Sequence, residues 1–192
     1  AMAFSNLERL KEYGDSHEIE ILLVGETVKA AADEVKAAIY ARCVFYDDAG
    51  QPYFAWSVDL KGSHNVYDEP PGSLQLLPYY GFCGTDDEIW RHTVSMIRSP
   101  SYPYSFFGQP IAEIGCAHAP YPWLLSLCNS LLCGYEAQAL RELESMDMDN
   151  GIVCESVDPV TGTCMTGAAF ATCAGFLCHS MKTALKEEQY AK

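Results

Sequence analysis

Residues 121–187 alternate a helix that is apolar nearly all round with one that is apolar on a single face, and this alternation restricts the fold more than any other feature. The run Trp123-Leu124-Leu125-Ser126-Leu127-Cys128 opens a helix over about 121–133 with no polar stripe to turn toward water. Such a helix has to be covered on every side. The next, about 135–145, is amphipathic, with Arg141, Glu142 and Glu144 expected to face outward. The third, about 166–187, begins as Gly167-Ala168-Ala169-Phe170-Ala171-Thr172-Cys173-Ala174-Gly175 and becomes charged only at its end. Concentric helical hairpins satisfy this pattern, because inner helices are touched all round and outer ones on one side. With the helices upstream, the chain supplies roughly six or seven, about half of a twelve-helix double ring.

Upstream, Ser5-x-x-Glu8 reads as a capping box for a helix ending near Gly14. From about Thr27, apolar residues Val28, Ala31, Ala32, Val35, Ala38 and Ile39 recur at helical spacing up to Arg42. The period then changes. Cys43-Val44-Phe45-Tyr46 and Tyr53-Phe54-Ala55-Trp56-Ser57-Val58 flank Asp47-Asp48-Ala49-Gly50-Gln51-Pro52, which predicts one small β-hairpin over about 43–58. Ser73-Leu74-Gln75-Leu76-Leu77-Pro78 opens a short buried helix, and Thr85-x-x-Glu88 caps another that runs to about Arg98. Residues 99–120 form a long loop rich in aromatics and proline. Its side chains at 102–107 suit either a pocket rim or a hydrophobic plug.

The balance of charge excludes some functions. A net charge of −14 argues against nucleic acid, whose phosphates need clustered Lys and Arg. No apolar run is long enough to cross a membrane, and no basic leader is visible, so a cytoplasmic protein is the expectation. The nine cysteines include no Cys-x-x-Cys, and Cys128/Cys133 and Cys173/Cys178 are spaced onto different helix faces. Reduced thiols, no metal site and no cofactor follow as expectations.

Candidate chemistry centres on Gly151-Ile152-Val153-Cys154-Glu155-Ser156-Val157-Asp158-Pro159. Asn150-Gly151 on one side and Asp158-Pro159 with Thr161-Gly162 on the other bound the segment with turns. A carboxylate in so stiff a loop has a fixed direction, as a general base needs. Capping a backbone amide is the alternative role for Glu155. Asp68 and Glu69 precede Pro70-Pro71 and suit either turn capping or a pocket. His118 is placed to bridge loop carbonyls or to meet a hydroxyl. Trp123 heads an apolar helix, as a core residue or as a stacking face for a sugar ring.

Three segments carry a resemblance to a known family. Asp68-Glu69-Pro70-Pro71-Gly72-Ser73-Leu74-Gln75-Leu76-Leu77-Pro78-Tyr79-Tyr80-Gly81-Phe82 resembles an acidic pair leading into a Ser-Leu-Leu-x-Leu-Pro-Tyr-Leu-Gly-Tyr helix in glycoside hydrolase family 125, the metal-independent exo-α-mannosidases. Ile114-Gly115-Cys116-Ala117-His118-Ala119-Pro120 is similar to that family's Ile-Gly-Ser-Pro-His-Thr-Pro loop. Gly151-Ile152-Val153-Cys154-Glu155-Ser156 is similar to its Gly-Phe-Met-His-Glu-Ser loop. The three occur in the family's order over about residues 20–180.

The resemblance implies an (α/α)6 barrel, of which residues 1–192 would form a single C-terminal portion. It implies inverting hydrolysis of an α-glycoside with Glu155 as general base, and a second carboxyl about 6.5–9.5 Å away as acid. Asp68, Glu69, His118 and Trp123 would contact the oligosaccharide or glycoside. The family's acid-bearing segment lies upstream of everything seen here. The implied partners are therefore the upstream half of the barrel or, since half a ring leaves an apolar edge, a second copy of the chain.

One stretch departs from the family pattern. Thr166-Gly167-Ala168-Ala169-Phe170-Ala171-Thr172 stands where the family has Thr-Arg-x-Trp-Phe-Ala-Trp, so an arginine and two tryptophans are absent. The pattern Gly-x-x-x-Glu-x-x-Asp-x-x-Thr-Gly also resembles the base-bearing loop of glucoamylase-type enzymes. The sugar is thereby left open between mannose and glucose. A non-catalytic carbohydrate-binding or assembly protein on the same fold is the second reading.

Overall fold

The computed structural model describes the backbone of residues 2–23, 26–66 and 68–190. The chain divides into two compact units, Ala1–Tyr67 with Leu77–Thr93, and Asp68–Leu76 with Val94–Lys192.

In the first unit, α1 (Met2–Ser16) packs on α2 (Val28–Arg42), and the two-residue strands β1 (Leu22–Leu23) and β2 (Glu26–Thr27) pair between them. Thr27 caps α2 as expected, its hydroxyl accepting the Ala30 N–H at 3.2 Å. Ser5, in contrast, lies inside α1 and not at its start. The helix extends upstream and places Phe4, which is buried, against Phe82. Phe82 is the centre of this core: Tyr40 stacks on it with ring centroids 5.5 Å apart, and Phe4 and Phe54 meet it edge-on at 5.6 and 5.9 Å.

The expected hairpin is shorter than 43–58. β3 (Val44–Tyr46) pairs antiparallel with β4 (Pro52–Phe54), with Val44 opposite Phe54. Asp47 Oδ1 closes its turn by accepting the Ala49 and Gln51 amides at 2.9 and 2.8 Å. Ser57 and Val58 belong to a separate ladder, β5 (Ser57–Val58) with β6 (His64–Asn65). Among the described residues there are four such two-stranded ladders rather than one, and strands of two or three residues are too short to show a period in sequence. The start of α3 (Glu88–Ile97) also differs. Asp87, not Thr85, receives the Trp90 amide at 2.9 Å, because its other oxygen is held by the Tyr40 hydroxyl at 3.0 Å.

The second unit opens with a single 3-10 turn, Leu74–Leu76. Its core is α4 (Leu124–Leu132), buried from Leu124 through Leu131 and packed on both α5 (Glu136–Ser145) and α6 (Ala171–Tyr190). Leu127, Cys128 and Leu131 meet Ala139 from α5 and Leu177 and Ala184 from α6. This is the all-round burial that the apolar sequence required. The expected start of the last helix at 166 is corrected to Ala171. Cys164–Thr166 is a strand, β8, paired with β7 (Ser156–Val157), and the left-handed residues Gly167 and Ala169 (φ 58° and 53°) keep the chain out of helix. The outward orientation expected of Glu142 is also corrected. It is buried, with Gln138 Nε2 donating to it at 2.6 Å, and burial raises its carboxyl above the usual range.

Candidate active site

Glu155 sits where three segments of the second unit meet. Its N–H points at the carbonyls of Thr166 and Gly167 at 3.2 and 3.0 Å. Its C=O accepts the first amide of α4, from Leu124, at 2.9 Å. Around it, Val157 N–H donates to Pro122 O at 2.9 Å, Trp123 bridges Ser156, and Phe170 N–H donates to Val153 O at 2.8 Å. The following turn is equally fixed, since Asp158 Oδ1 receives the Val160 and Thr161 amides at 2.9 and 2.8 Å. The backbone is held on both sides while the half-buried Glu155 carboxylate takes no hydrogen bond among the described residues. A carboxylate with a fixed base and free oxygens is available to water or a hydroxyl.

Gly167 makes this placement possible. A Cβ there would lie 2.5 Å from Glu155 Cβ and 3.1 Å from its Oε2, and the residue has φ 58°. Gly167→Ala is expected to cost about 1–2 kcal/mol from the left-handed backbone alone and to turn the Glu155 side chain away. A lowered thermal midpoint checks the first effect, and a crystal structure of the variant the second.

The loop Ile114-Gly115-Cys116-Ala117-His118 forms a neighbouring wall. Gly115 fits because the Tyr121 and Ala119 carbonyls pass 2.4 and 2.6 Å from where its Cβ would be. His118 is exposed, its Nδ1 lies 3.2 Å from the Cys116 sulfur, and its ring meets Trp123 edge-on at 5.2 Å. Burial is the main cause that raises the Cys116 thiol, and the charges of Glu69 and Glu155 add to it. Among the described residues, no group of three or more His, Cys, Asp or Glu is placed to hold a metal.

His118 therefore stands beside Cys116, on whose thiol both Glu155 and Glu69 act, whereas Trp123 and Asp68 are buried. Trp123 is 4% exposed, so its ring face is closed to a sugar and supports His118 from beneath. Asp68 is fully buried: Ser73 Oγ donates to one oxygen at 2.6 Å and the Leu74 amide to the other at 2.9 Å, while its own N–H donates to the Tyr102 hydroxyl. Burial pushes its carboxyl up to about 7 against those two bonds. It caps the turn before the 3-10 helix and does not face a pocket. In the aromatic loop Tyr102 is buried with Ile97 and Ile114 as a plug, whereas Tyr104 is exposed. Sequence reading passed over Gly167 and the buried Glu113; an uncompensated acid inside an apolar stretch was the available signal for the second.

The fold recurs in known proteins. Seven solved chains match. One, from Streptococcus pneumoniae, is described as a metal-independent alpha mannosidase in a non-productive substrate complex with alpha-1,6-mannobiose. It aligns with a TM-score of 0.77 and 24% identity over 96% of this chain and 45% of its own length. The chain therefore spans less than half of that relative, and the likeness shows the shared fold, the (α/α)6 class of helical hairpins. No curated protein sequence matches. A family model described as metal-independent alpha-mannosidase matches residues 1–181. On that match over nearly its whole length, the chain belongs to glycoside hydrolase family 125.

Proposed function

We propose that the protein hydrolyses α-glycosides with inversion, and that Glu155 is the general base. The observation that carries this is the Glu155 carboxylate, unbonded on a backbone held from both sides, in a chain whose family comprises glycoside hydrolases. In such a reaction the base takes a proton from water as the water attacks the anomeric carbon from the face opposite the leaving group. Exposed His118 and half-buried Glu69 are suited to hold sugar hydroxyls. The acid that protonates the leaving oxygen comes from outside these residues. Mannosides and glucosides are both candidate substrates, since exposed Gly167 beside Glu155, and Ala168 and Ala169 after it, carry no side chain that reads a sugar hydroxyl.

A carbohydrate-binding protein without activity is the second reading, favoured by the same small residues, which offer no side chain to grip a transition state. One experiment separates the two. Aryl α-mannosides and α-glucosides are incubated with the full natural protein, and the first-formed sugar is followed by NMR. Early β-anomer is the expected result. Early α-anomer would overturn inversion, and binding without turnover would favour the second reading.

A further inference from the structure

Glu113 is wholly buried in the second unit and takes no part in the mechanism above. Its two oxygens accept hydrogen bonds from Ser126 Oγ at 2.5 Å and Ser130 Oγ at 2.6 Å, one turn apart on α4. Each serine is itself engaged. Ser126 Oγ accepts the Ile114 amide at 3.2 Å, and Ser130 Oγ accepts Arg98 Nη1 at 2.9 Å. Arg98 is held by Gln138 Oε1 at 2.9 Å and lies 3.7 Å from the Tyr135 ring centroid.

Both serines spend their single proton on Glu113, so this bond pattern requires a carboxylate that only accepts. The segment it holds runs straight into Gly115, Cys116 and His118. Ile114 O also receives the Trp123 amide at 3.1 Å, next to the Leu124 amide that binds Glu155 O. Glu113 therefore ties both walls of the candidate site to one helix.

We propose that Glu113 is a positioning residue whose ionised carboxylate fastens the Cys116–His118 loop to α4, and whose protonation loosens it. A proton on Glu113 needs an acceptor, and a serine oxygen that takes it can no longer point its own proton at the same carboxyl oxygen. One serine must turn its own proton elsewhere, and the long Ile114 contact is the bond that yields most readily. The competing influences come from every packed element. Burial raises the carboxyl to about 7, Arg98 lowers it, and Glu142 on α5 raises it. The thiols of Cys128 and Cys133 at α4 and its end are raised by burial and stay neutral across this range.

The link to catalysis rests on the glycosidase reading, so the test reads the loop itself. In the uniformly 15N-labelled chain, the Ile114 amide resonance is expected to shift between pH 6 and 8. It should be flat in Glu113→Gln. In Ser130→Ala, which removes one donor to the carboxylate, the midpoint should rise by about one to two pH units. If Glu113→Gln does not fold, the Ser130→Ala midpoint decides alone. An Ile114 resonance without a step in the wild type, a step that survives in Glu113→Gln, or an unmoved midpoint in Ser130→Ala overturns the proposal. None of these outcomes depends on whether sugars are cleaved.

Discussion

Glu155→Gln, in the full natural protein, is expected to lower kcat on an aryl α-glycoside by about 10²–10⁴-fold, the usual contribution of a positioned general base. KM should change little, because the amide keeps the size and most of the polarity of the carboxylate. The fold should not notice. Glu155 is held by its backbone, and its side chain has no hydrogen-bond partner among the described residues whose loss could cost stability. Asp158→Asn supplies the contrast. That carboxylate organises its own turn through the Val160 and Thr161 amides, and hydrogen bonds to those amides lower it. It should affect thermal stability before it affects chemistry. Steady-state kinetics with a melting curve for each variant separates the two roles. Wild-type kcat in Glu155→Gln would remove this residue from the mechanism.

The sequence exposed the helices better than the site. α2 and α4 were legible because their apolar residues recur over enough turns for a period to show, and because α4 has no polar face at all. Glu142 was misplaced for a related reason. Helical spacing locates a residue on a face but cannot know that Gln138, one turn earlier, supplies a buried partner. The short ladders escaped because strands of two or three residues, such as β7 and β8, are too short for any alternation to show. In the site, the turn residues around Glu155 were readable from Asn-Gly and Asp-Pro. The demand for glycine at 167 was not, since it arises only when Glu155 is brought against it. Asp68 and Trp123 have residue types that sugar sites use, and composition cannot distinguish a sealed carboxylate from an open one.

Sealed carboxylates have a measurable consequence: the second unit should lose stability as pH rises from about 4 to about 7. Asp68 and Glu113 are both fully buried, and burial pushes each up to about 7. In the unfolded chain they titrate near 4. Between these values the folded state keeps two protons that the unfolded state has released, so unfolding is favoured as pH increases. The stability is fully present below about pH 4 and is lost through about pH 7. The size is about 4 kcal/mol for Asp68 and about 3 for Glu113. For a chain of this length, that lowers the melting temperature by roughly 10 °C or more. Asp47, Asp59 and Asp158 are lowered chiefly by hydrogen bonds from backbone amides and act in the other direction, but only at more acid pH. An acid-side optimum at about pH 4 follows. Scanning calorimetry of the wild type across pH 4–9, with Asp68→Asn and Glu113→Gln, checks it. Each variant should flatten part of the decline, and a wild-type melting temperature higher at pH 8 than at pH 5 would show that these carboxylates are ionised in the fold.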